Sequence, residues 1–84
     1  MIGNLIKFMR VTRNMKQADL SKKTKIATST ISNYETDSIS ISAENLNILA
    51  EACNFELLIK DKKSDKIYKL DDMKRFQSDI RVRK

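Results

Sequence analysis

Eighty-four residues, 40% of them apolar and 33% charged, make one small domain with a modest core and little stability in reserve. One Gly, no Pro and no Trp favour a mainly helical chain over a turn-rich all-β one, while a single Cys and no His exclude an intrachain disulfide and the ordinary zinc and acid–base constellations. No apolar run approaches the roughly 18 residues of a membrane span, and the opening MIGNLIKFMR has helical spacing and polar breaks unlike a signal peptide, so a cytoplasmic protein is expected.

The first helix is expected from about Gly3 or Asn4 to Arg13, with Leu5, Ile6, Phe8 and Met9 facing inward and Asn14 closing it in a left-handed cap. From Lys16 to Glu35 the run KQADLSKKTKIATSTISNYE reads as two short amphipathic helices joined by a tight turn. The earlier one, about Gln17 to Lys23, buries Ala18 and Leu20, and Lys22 and Lys23 suit the negative end of its dipole. Ile26 plugs the turn. In the next helix Ile31 and Tyr34, three apart, share a buried face and leave Thr28, Ser29, Ser32 and Asn33 outside. Such side chains are short, uncharged and rich in donors and acceptors, so a backbone carrying them can approach a base pair. Asn33 is the candidate for bidentate reading of adenine, Ser29 and Ser32 for single hydrogen bonds, and Thr28 for a hydrogen bond or a thymine methyl contact.

Residues 36 to 42 read TDSISIS, for which a hydroxyl-rich connection burying one or both of Ile39 and Ile41 is favoured over a short strand. Ser42 is a good N-cap for a fourth helix from about Ala43 to Cys53, whose stripe is Leu46, Leu49, Ala50 and Cys53, widened by Ile48 and Ala52. Cys53 on that stripe is expected to be a buried structural thiol. After Asn54 the period changes: Phe55, Leu57 and Ile59 alternate with Glu56, Leu58 and Lys60. A lone strand cannot satisfy its own backbone, so its neighbour is either Ile67 to Leu70 of the same chain, across the turn DKKSDK, or the equivalent strand of a second copy. From Leu70 onward, Met73, Phe76 and Ile80 fall at helical spacing; either a short helix or a tail is compatible, and the tail is favoured. Three units follow: residues 1–54, 55–70 and 71–84.

The net charge of +6 is unevenly spread. Residues 1–35 hold seven Lys/Arg and two acids, residues 36–56 hold four acids and no cation, and residues 57–84 hold ten cations and five acids. A basic segment joined to an acidic middle suggests one face directed at phosphates and another directed elsewhere.

The run Gln17-Ala18-Asp19-Leu20, then Ile26, then Ser29-Thr30-Ile31-Ser32-Asn33-Tyr34-Glu35 resembles the Cro/C1-repressor (Xre-type) helix-turn-helix family, and the likeness extends upstream through Ile2 to Arg10 and downstream from Ser42 to Leu57. The resemblance implies a lambda-repressor-like bundle of four to five helices with a short C-terminal strand or hairpin. It also implies that Gln17 binds a phosphate, that the third helix is the recognition helix, and that Arg10 pairs with Glu35. Thr30, Thr36 and Ser38 would join Gln17 in positioning the body on phosphates. The chain departs from the family where Asn14, Lys25, Asp37 and Asn54 stand in place of Gly, and where Ala27 replaces a hydroxyl cap, which shifts the start of the third helix to Thr28. A repressor-type domain followed by an ELLIK-like strand, with ISNYE ending the recognition helix, is further similar to HipB-type antitoxins, which dimerise through strands after the last helix.

The expectation is therefore a repressor of double-stranded DNA that binds a palindromic operator as a homodimer, with half-sites about 34 Å or a multiple apart, lying on the nucleoid when bound. Phe55, Leu57, Leu58 and Ile59 are the candidate dimerisation residues. The more specific expectation is an antitoxin that represses its own operon and binds a HipA-type kinase toxin through its acidic segment and basic tail. Alternatives are a stand-alone phage-type or chromosomal repressor, or an interaction adaptor that has lost DNA binding. With no Gly-rich loop and only scattered carboxylates, no enzyme, cofactor or metal is expected.

Overall fold

In the computed structural model, residues 1–72 are described. Four helices, α1 (Ile2–Thr12), α2 (Gln17–Thr24), α3 (Thr28–Glu35) and α4 (Ala43–Ala52), are followed by strands β1 (Leu58–Lys60) and β2 (Ile67–Lys69) and a 3₁₀ turn, Leu70–Asp72. The chain is mainly helical with a two-stranded antiparallel hairpin.

Each helix buries one stripe. Ile6 and Met9 of α1, Leu20 of α2, Ile31 and Tyr34 of α3, and Leu49 and Ala50 of α4 meet with Cys53 in a single core. Met15, Ile26, Ile41, Leu46, Ala52, Phe55 and Leu57 pack around it, half-buried. Complete burial of an aliphatic side chain contributes about 1.5 to 3 kcal/mol, so these few residues supply most of the drive to fold. Four expected core residues are exposed instead. Phe8 is 59% exposed and Leu5 38%, because the inward stripe of α1 is the narrower row Gly3, Ile6 and Met9. Ala18 is exposed, leaving α2 anchored by Leu20, and Ile48 on the outer side of α4 is exposed as well.

All four helices end on a left-handed residue that is not Gly: Asn14 (φ 57°), Lys25 (φ 64°), Asp37 (φ 59°) and Asn54 (φ 61°). At three of these ends the same pair of bonds recurs. Met15 N–H donates to Arg10 O and Asn14 N–H to Val11 O; Ser38 N–H donates to Asn33 O and Asp37 N–H to Tyr34 O; Phe55 N–H donates to Ala50 O and Asn54 N–H to Glu51 O. This is the 6→1 and 5→2 Schellman pattern, which satisfies carbonyls the helix leaves orphaned. At α2 a single bond from Lys25 N–H to Ser21 O does the same work.

Because Phe55 closes α4 in this way and packs on the core, the strand begins at Leu58, three residues later than the alternation starts. Ile59 pairs with Tyr68, flanked by Leu58 with Lys69 and Lys60 with Ile67, so the partner strand belongs to the same chain. Asp61 holds the turn, accepting from Lys63 N–H at 2.9 Å and Ser64 Oγ at 3.0 Å, with Asp65 left-handed. The expected 36–42 connection is a loop; Ile41 reaches the core and Ile39 is exposed. Of the expected helix or tail carrying Met73, Phe76 and Ile80, all three positions lie outside the described residues. Among the described residues no helix is long and apolar enough to cross a membrane.

Candidate nucleic-acid interface

The geometry of the α2–α3 pair is set by short-range bonds in the turn. Ser21 Oγ donates to Ile26 O at 2.6 Å, Thr24 Oγ1 donates to Leu20 O at 2.9 Å, and Ile26 N–H donates back to Thr24 Oγ1 at 3.2 Å. With Lys25 left-handed between them, these bonds fix the direction in which the chain leaves α2. Helix α3 then starts at Thr28 with no side-chain cap, since Ala27 offers no acceptor.

Side chains of Arg10, Gln17 and Asn45 hold α3 in place. Arg10 Nε and Nη2 donate to Glu35 Oε2 and Oε1 at 2.7 and 3.0 Å, a bidentate pair joining α1 to the end of α3. Gln17 Nε2 donates to the same carboxylate at 3.1 Å, and Arg10 Nη1 to Met15 O at 2.8 Å. Burial alone would raise the pKa of the Glu35 carboxyl; the hydrogen bonds from Arg10 and Gln17 outweigh it and hold the group below its ordinary value. On the other side Asn45 Nδ2 donates to the Tyr34 hydroxyl at 3.1 Å, tying α3 to α4. Gly3 lies so close to α3 that a Cβ there would run into the carbonyl oxygens of Tyr34 and Glu35.

What remains outside α3 is polar. Thr28, Ser29 and Asn33 are exposed on the surface opposite Ile31 and Tyr34, while Ser32 and Thr30 are half-buried at its margins. Thr36 and Ser38 are exposed but engaged: their hydroxyl oxygens lie 2.7 Å apart, and Thr36 Oγ1 also lies 3.2 Å from Ser32 O and 3.3 Å from Asn33 O. Each hydroxyl has one proton, so a bond from either to a phosphate needs one of these contacts to be released. Gln17 likewise spends a side-chain donor on Glu35, leaving its second amide proton and its first-turn backbone N–H. Of the four candidate dimerisation residues, Leu58 and Ile59 are exposed on the hairpin, whereas Phe55 and Leu57 are half-buried against the core.

Other residues matter here that the chain's pattern did not single out. Asp37 accepts Gly3 N–H at 2.9 Å and the amino group of Met1 at 2.7 Å, so the residue that ends α3 also caps the start of α1. The sequence marks Asp37 only as a residue in place of Gly after the third helix and gives no sign that it caps α1. Asn45 and the Ser21/Thr24 pair left no distinguishing pattern.

A buried Ile31/Tyr34 underside, an outward polar row and a fixed turn to a preceding helix define a DNA-binding helix-turn-helix regulator. The model of the helix-turn-helix family HTH_3 matches residues 6–59, and the chain belongs to that family. Comparison with curated proteins and with solved structures gave no match.

Proposed function

We propose that this protein is a sequence-specific transcriptional repressor acting as a twofold dimer on a palindromic operator. The observation that carries this reading is the row Thr28, Ser29 and Asn33, held outward by a helix that α1, α2 and α4 pin from behind. In the major groove Asn33 would pair with an adenine edge, Ser29 and Ser32 would make single hydrogen bonds, and Thr28 would meet a thymine methyl or a hydrogen-bonding edge. Gln17, Thr30, Thr36 and Ser38, with the uncapped N–H groups at the start of α3, would bind phosphates.

The dimer forms through the hairpin. Two three-residue strands are marginal alone, and Leu58, Ile59 and Ile67 are at least half exposed, so a second copy laid against them would bury apolar surface and extend the sheet. Within this reading, a repressor domain followed directly by such a hairpin supports the role of an antitoxin that controls its own operon and binds a HipA-type kinase. Co-purification with a kinase-sized neighbouring gene product is the expected result, and recovery of the protein alone favours a stand-alone repressor.

Selection of bound duplexes from a random pool at two salt concentrations tests the main proposal. The expected yield is a twofold-symmetric site whose binding weakens steeply as salt rises. Ser29→Ala and Asn33→Ala should each weaken that site by about 1 to 3 kcal/mol and relax preference at one position. Unchanged preference in both variants would refute the assignment.

A further inference from the structure

Among the described residues, five that are not Gly stand in the left-handed region, and four of them are Asn or Asp, the side chains that tolerate it best. The fifth is Lys25 (φ 64°), in the turn between α2 and α3. Nothing in the fold uses its side chain. The turn is closed by the Lys25 backbone N–H on Ser21 O and by the bonds among Ser21, Thr24, Leu20 and Ile26. The Lys25 side chain is exposed and, among the described residues, in no ion pair. A position that costs stability is thus held by a long cation where a short amide would fold better.

Four of the other six cations before Glu35 have a structural account. Arg10 is spent on Glu35 and Met15 O, and Arg13 on Cys53 O and Asn54 O. Lys22 and Lys23 lie in the last turn of α2, where the helix dipole favours positive charge. The remaining two, Lys7 within α1 and Lys16 in extended backbone, stand where any residue is tolerated and carry no backbone cost. Lys25 lies three residues before Thr28 and is the last cation before the stretch from Ile26 to Ile59, which has none. Its backbone belongs to the same bonded turn that aims α3, so its charge is carried from a set point beside the start of the outward row.

We propose that Lys25 is a phosphate-binding residue of the DNA complex, its ammonium reaching from the α2–α3 turn to the backbone strand that borders the groove where Thr28 and Ser29 enter. This rests on the reading of α3 as the helix in the major groove. A Lys on its four-carbon stem brings a compact point charge on an adaptable arm, which suits a phosphate and is blind to base sequence. The left-handed backbone is then a stability cost retained for contact with the duplex.

The test is titration of the full chain at several salt concentrations with two probes, the duplex selected from a random pool and unselected random duplex. Lys25→Asn and Lys25→Gly remove the charge with residues that the left-handed backbone accepts, so each should keep or raise the thermal midpoint. Both should weaken the two duplexes by the same factor, about threefold or more, with sequence preference unchanged. The slope of log affinity against log salt should become shallower by about 0.9 for each protomer bound. Lys25→Arg should keep the wild-type slope, and Lys23→Gln, which removes an equal charge from within α2, should change it less than Lys25→Asn does. An unchanged slope in Lys25→Asn and Lys25→Gly, an equal change in Lys23→Gln, or a Lys25→Arg as weak as Lys25→Asn would each overturn the proposal. Those outcomes leave the wild-type preference for the selected duplex, and so the repressor reading, in place. A wild-type chain that binds neither duplex overturns both.

Discussion

Glu35 is the residue on which the geometry of α3 converges, since it takes both guanidinium bonds of Arg10 and the amide of Gln17 at only 5% side-chain exposure. Arg10→Ala leaves that carboxylate buried without its cation, and the expected loss is about 3 to 5 kcal/mol in chemical denaturation. The pH dependence has a definite sign. A carboxyl with a native pKa below its unfolded value stabilises the fold where it is ionised in both states, so this contribution is complete above about pH 4.5 and is lost as pH falls through the lowered native value. Glu35→Gln should therefore flatten the acid limb of a stability profile while lowering stability at neutral pH. Lys25 gives the opposite prospect. A left-handed L-residue with no special tolerance costs about 1 to 2 kcal/mol, against about 0.5 to 1 for the added freedom of Gly in the unfolded chain. Lys25→Gly should thus raise stability by somewhat under 1 kcal/mol, a shift of a few degrees in thermal midpoint. Burial raises the pKa of the Cys53 thiol and keeps it protonated despite nearby cations, so alkylation of the native protein should be slow and should accelerate on adding denaturant.

At the scale of elements, Gly3 sets the approach of α1 to α3. Gly3→Ala must push the helices apart against carbonyl oxygens, and a cost of about 1 to 3 kcal/mol is expected, with weaker DNA binding in the same variant. The helix boundaries were legible because a 3.6-residue period and Asn, Asp or Ser at the ends are local signals. The width of a stripe was not. Phe8 adjoins Met9 in sequence but points away from the core, because the period of an amphipathic helix gives its direction and leaves the extent of its neighbours unstated. The alternation starts ahead of the strand for a related reason: Phe55 and Leu57 alternate with Glu56 and Leu58, yet Phe55 N–H closes α4 and both side chains pack on the core. For the candidate interface, the outward row on α3 followed by elimination from Ile31 and Tyr34. That Gln17 would turn toward Glu35, or Thr36 toward Ser38, depends on which acceptor lies nearest in space, and spacing along the chain carries no such information.

For the molecule as a whole, positive charge and the proposed reading row fall to different parts of the chain. The thirty-four residues from Ile26 to Ile59 lack any Lys or Arg, and α3 lies wholly within them. Each phosphate neutralised by a cation adds about −0.9 to the slope of log affinity against log salt. Substituting Ser29 or Asn33 should therefore change sequence preference without changing that slope, as measured by titration at several salt concentrations. In the proposed complex α3 brings no cation of its own to the groove, so its side chains add nothing to the attraction that any duplex offers. Discrimination among sequences therefore rests on hydrogen bonds and fit along α3, while the cations outside it set how tightly any duplex is held.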